Sequence, residues 1–70
     1  MLNNFEKARK SKRIRLVDIA ELIGVKYQTV SEKINGKSSF KLDEVLLISK
    51  TYFPEYKIEY LFKDDEQEEL

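Results

Sequence analysis

Seventy residues with two Gly, one Pro, no Cys and no His allow one small domain, and they exclude a disulfide scaffold and the common Cys/His zinc sites. A core this small supplies only about 3–5 kcal/mol, so dimerisation or partner binding is expected. The net charge is zero, yet residues 1–41 hold ten Lys or Arg against four Asp or Glu, a balance of +6, and residues 42–70 hold three against nine, a balance of −6. That asymmetry makes the first half the candidate for a polyanionic partner.

The first helix is expected from about Asn3 to Lys12, with Leu2, Phe5 and Ala8 facing inward and Asn3 or Asn4 as its cap. Lys7, Arg9, Lys10, Lys12, Arg13 and Arg15 cluster on it and at its exit, where several can reach phosphates. Ile19, Ala20 and Ile23 recur at helical spacing and stop at Gly24, which predicts a two-turn second helix over Leu16–Ile23. Val25 plugs the turn. Val30 and Ile34 then define the inner face of a third helix, Tyr27–Asn35, whose other face carries Tyr27, Gln28, Ser31, Glu32 and Lys33. Asn35-Gly36 closes it. Two short helices around a glycine turn are what let the second lie in a major groove while the first crosses the backbone.

Ser38-Ser39 forms a loop to Phe40, a core plug, and a fourth helix is expected from Leu42 to Phe53, with Asp43 and Glu44 at the positive end of its dipole. Pro54 stops it. A short fifth helix spans about Lys57 to Phe62, and residues 63–70, with five acids, read as an acidic disordered tail behind a domain covering 1–62. The expected core is Phe5, Ala8, Ile14, Ile19, Ala20, Ile23, Val25, Val30, Ile34, Phe40, Leu42, Val45, Leu46, Ile48, Ile58 and Leu61. No segment is long and apolar enough to span a bilayer, and no signal-peptide pattern precedes the basic residues, so a cytoplasmic location is expected.

The run Asp18-Ile19-Ala20, Gly24-Val25, Thr29-Val30-Ser31 and Asn35-Gly36-Lys37 resembles the lambda-repressor-like Cro/repressor (XRE) helix-turn-helix domain. Phe40 and Leu42-Asp43-Glu44 resemble that family's fourth helix, and Ile58 to Phe62 its fifth, so the likeness covers residues 3 to 62. It implies an all-α, compact five-helix fold with the helix-turn-helix in helices 2 and 3, and double-stranded operator DNA as the partner.

Carried over position by position, the resemblance puts Lys26, Tyr27 and Gln28 at the groove. There Gln28 can pair with adenine, Lys26 can reach guanine or a phosphate, and Tyr27 can meet a thymine methyl. Thr29, Ser31, Lys33, Asn35, Lys37 and Arg15 fall where backbone contacts are common, and Glu32 accepts from cytosine if it faces a base. The chain departs from the family at Leu16 and Val17, where a phosphate-clamping Gln and a polar residue are usual.

Two functions of different classes follow. One is a small Cro-like phage regulator that binds operator DNA as a homodimer. The other is an antirepressor that pairs with a repressor protein through Leu16, Val17, Tyr27, Leu47, Tyr60 and Phe62, since aromatic and aliphatic side chains dominate such contacts. An antitoxin-like role fits less well, because residues 63–70 hold a single apolar side chain, Leu70. Without His, Cys or a glycine-rich phosphate loop, neither an enzyme, a cofactor, a metal nor a small-molecule ligand is expected.

Overall fold

The computed structural model describes residues 1–64, and among them the chain forms five helices and no strand: α1 (Asn3–Ser11), α2 (Leu16–Ile23), α3 (Tyr27–Asn35), α4 (Leu42–Tyr52) and α5 (Ile58–Leu61). The acidic stretch expected as a tail lies, from residue 65 onward, outside the described residues.

Each boundary has a local cause. Gly24 leaves α2 at φ 76° and Gly36 leaves α3 at φ 93°, the left-handed conformation that a side chain at Cβ disfavours. A Cβ at Gly24 would meet no atom within 4 Å, so the requirement there is on the backbone alone. The Gly24 and Val25 amides both donate to the Ala20 carbonyl, at 2.8 and 3.0 Å, which satisfies the end of α2 as the chain turns.

The helix starts are held differently from the sequence expectation. Neither Asn3 nor Asn4 caps α1: the helix begins at Asn3 behind Leu2, and the Asn4 side-chain amide instead donates to the Tyr60 carbonyl in α5 at 3.0 Å. At α2 the Asp18 carboxylate reaches back to accept from the Arg15 amide at 2.9 Å, and at α4 Glu44 does the same for Lys41 at 2.9 Å.

The Arg15 guanidinium, with the Arg15 amide, holds the Asp18 carboxyl below its ordinary value, and the Lys12 ammonium does likewise for Glu55. Folded-state values depressed in this way add stability above the usual carboxylate range. That stability is lost as the pH falls through it into the lower folded values. Thermal melts taken downward from neutral pH should therefore show a falling Tm, less steep in a double variant Asp18→Asn, Glu55→Gln; equal slopes would refute this assignment.

The core is centred on aromatic rings. Phe5 is fully buried, with ring centroids 5.3 Å from Phe62, 5.5 Å from Phe53 and 5.9 Å from Phe40. Ala8, Ile19, Ala20, Val30, Ile34, Ile48 and Leu61 complete it with Leu2. Phe53, absent from the expected core, is fully buried and belongs to this centre. Conversely, Leu42 and Leu46, expected inside, are 74% and 50% exposed. The inward stripe of α4 runs through Val45 and Ile48, as expected, and also through Ser49 and Tyr52, with Ser49 buried.

α2 packs on both α3 and α4, and α1 packs on α5. The Leu2 amide donates to the Ile34 carbonyl at 2.9 Å, tying the start of the chain to the last turn of α3. This arrangement leaves the front of α3 outward.

Candidate nucleic-acid interface

Lys26 precedes α3 in extended conformation, at φ −81° and ψ 154°, and Tyr27 and Gln28 form the helix's first turn. All three are exposed, Tyr27 by 51%. Among the described residues no hydrogen bond or ion pair engages the side chains of Lys26 or Gln28, so their donors are available to an incoming partner. Val30 and Ile34, buried on the opposite face, fix the rotation of α3 that turns these side chains outward.

Further along α3 the positions separate. Thr29 and Ser31 are half-buried and Glu32 is exposed. Asn35 donates to the Ser31 hydroxyl at 3.5 Å, a long contact within one helix face. Lys37 is exposed beyond Gly36, with its amide on the Glu32 carbonyl at 2.9 Å.

Lys33 is placed differently. Its ammonium lies 3.4 Å from the Glu44 carboxylate, donates to the Ser39 carbonyl at 2.9 Å and sits 5.8 Å above the Phe40 ring, with its side chain only 9% exposed. The sequence set it among the phosphate contacts, but its charge is held inside the fold, between α3 and the start of α4.

The basic cluster on α1 is likewise divided. Arg9 forms an ion pair with Glu6 at 2.6 Å and donates to the Ile14 carbonyl at 2.8 Å. Lys12 is paired with Glu55 at 2.6 Å and donates to the Tyr52 carbonyl at 2.7 Å, over the rings of Phe53 and Tyr56. Arg15 is 74% exposed but paired with Asp18 at 2.8 Å. Lys7, Lys10 and Arg13 remain outward, Lys10 with Glu6 no nearer than 4.0 Å. The engagement of Lys12 was not visible in the sequence because its partners come from the distant end of α4 and the turn after it.

Of the residues singled out as a protein-binding surface, Val17 is 38%, Leu47 38% and Tyr60 42% exposed, whereas Leu16 is half-buried against the core. Phe62 packs edge-on to Phe40 at 5.4 Å and against Phe5, which makes it a core residue.

A helix with an outward first turn follows a left-handed glycine here, and the helix-turn-helix family model matches residues 5–53. The chain belongs to the lambda-repressor-like (XRE) helix-turn-helix family. No curated protein and no solved structure matches it. In this helix-turn-helix protein α2 and α3 are the motif, and α3 is its recognition helix. The matched region ends at Phe53, so α5 lies beyond it while packing into the same core. Membership makes the chain a DNA-binding transcriptional regulator. No described helix is long and apolar enough to cross a membrane.

Proposed function

We propose that this helix-turn-helix protein represses or competes at an operator in a phage or prophage genetic switch, working in the cytoplasm and reading double-stranded DNA through Lys26, Tyr27 and Gln28 as a homodimer. The observation that carries the reading is the outward, uncommitted first turn of α3. Lys37, exposed just past the same helix, supplies a phosphate contact, with Arg15, Thr29, Ser31 and Asn35 as further candidates along the backbone.

The test is fluorescence anisotropy with labelled DNA from around the encoding gene, titrated at two salt concentrations. Tight binding that weakens with salt and depends on sequence supports the reading; binding to no sequence better than to random DNA overturns it. Gln28→Ala is expected to remove about 1–3 kcal/mol of discrimination at one base position. Lys37→Ala should instead weaken all sequences alike and lower the salt slope by about one. Equal affinity of Gln28→Ala and the parent chain for every operator variant would remove Gln28 from the reading set.

A second reading is favoured by the apolar surface at the front of the motif. Val17 and Tyr27 are both exposed, and Val17 directly follows the Leu16 that stands where the resembled family places a phosphate-clamping Gln. On this reading the protein is an antirepressor that docks on a repressor and alters its grip on DNA. The same titration decides between the two when the neighbouring repressor is added: release or retention of its DNA complex, with no DNA binding by this chain alone, selects the antirepressor.

A further inference from the structure

The chain leaves each of its first three helices through one residue in the left-handed conformation, but not through the same kind of residue. After α2 and α3 it is Gly24 and Gly36; after α1 it is Arg13, at φ 59°, the one non-glycine residue of positive φ among those described. The hydrogen bonds there account for the conformation. Lys12 closes α1, the Arg13 amide donates to the Lys10 carbonyl at 3.1 Å and the Ile14 amide to the Arg9 carbonyl at 3.0 Å, the two bonds that end a helix through a left-handed residue. They do not account for the side chain. A Cβ in this conformation crowds the following carbonyl, and glycine takes the same position without that clash.

The Arg13 side chain is exposed, and among the described residues no hydrogen bond or ion pair engages its guanidinium. Its basic neighbours are committed, Arg9 to Glu6, Lys12 to Glu55 and Arg15 to Asp18. The junction in which it stands leads within three residues to α2, the helix that crosses the DNA backbone in this motif. Leu16, the first residue of α2, shares a hollow with Ser31 and Asn35 of α3, so the junction adjoins the recognition helix.

We infer that Arg13 is a phosphate-binding residue, retained in a strained backbone position for its guanidinium: it holds the DNA strand where α2 crosses it, at the expense of the fold. Glycine at this position suits the folded chain better and the DNA worse. A backbone contact carries no sequence information, so it serves operator and random duplex alike. The inference deepens the DNA-binding reading and rests on it, though not on base selection by Lys26, Tyr27 and Gln28.

Three variants of the whole chain test it, by thermal melts and by anisotropy on operator and random duplexes over a range of salt. Arg13→Gly is expected to raise the Tm by a few degrees, to weaken binding to both duplexes several-fold, and to lower the slope of log affinity against log salt by about one. Arg13→Lys keeps the charge on the same strained backbone and should keep the parent's Tm and slope. Lys50→Ala, at an exposed lysine of α4 outside the motif, should leave the slope unchanged. An Arg13→Gly chain that melts at or below the parent's Tm overturns the inference, because the arginine then costs the fold nothing. A slope lowered as much by Lys50→Ala as by Arg13→Gly also overturns it, because the attraction is then diffuse. The same titrations separate the two proposals. A parent chain that selects its operator, with a slope that Arg13→Gly does not change, removes this contact and leaves the operator reading; a parent that binds both duplexes equally, with a slope that Arg13→Gly lowers, does the reverse.

Discussion

Replacing Phe5 with Ala is expected to leave the protein largely unfolded at room temperature. The ring is fully buried and touches three others, those of Phe40, Phe53 and Phe62, which reach it from the α3–α4 loop, the end of α4 and the end of α5. Among the described residues, no other joins so many distant parts of the chain through ring contacts. Truncating a buried Phe to Ala costs about 3–5 kcal/mol, because the lost transfer free energy is joined by the cavity left behind. A core of this size supplies about the same amount in total. Circular dichroism should show a collapsed or absent melting transition for Phe5→Ala. Phe40→Ala, at a half-buried ring on the edge of the cluster, should keep a cooperative melt at lower Tm. A Phe5→Ala chain that melts within a few degrees of the parent would mean that the cluster does not hold the domain together.

The second large effect is expected at Lys33, and it is one of stability rather than of DNA contact. The side chains of Lys33 and Glu44 are 9% and 11% exposed, so removing the ammonium strands a carboxylate with little solvent around it. Breaking such a pair costs about 3 kcal/mol, the lower end of the range for buried pairs, since Glu44 keeps its bond from the Lys41 amide. Lys33→Ala should therefore show a markedly lower Tm, while the salt slope of DNA binding, measured at a temperature where the variant is folded, stays that of the parent. Lys37→Ala should show the opposite pattern. A Lys33→Ala chain of unchanged Tm and reduced salt slope would return Lys33 to the phosphate contacts.

The contrast between these two lysines marks where the sequence could be read and where it could not. Helices α2 and α3 were legible to the residue, because Gly24 and Asn35-Gly36 are local signals that act where they stand. The family likeness was legible for the same reason, since it rests on those short-range marks. Lys33 was misplaced because its partner, Glu44, lies on another helix and its spacing on α3 matches an outward position. In α4 the difficulty was the periodicity itself. Leu42, Val45, Leu46, Leu47, Ile48 and Tyr52 put apolar groups around most of the helix, so spacing could not choose the inward stripe. Packing on α2 chose it, turning Leu42 and Leu46 outward and Ser49 inward. Phe53 was underrated because it follows the last turn of α4, where helical spacing no longer applies.

The recognition helix is restrained at both ends. Its entry is set by the tight turn at Gly24, and its last turn is held by the Leu2 amide on the Ile34 carbonyl and by the Lys33–Glu44 pair. Little is left for DNA to organise when it arrives. The entropic penalty of ordering is then confined to the few side chains at the front of α3. The heat-capacity change on binding should accordingly reflect the contact surface alone, and it should be far smaller than that of a chain that folds on its partner.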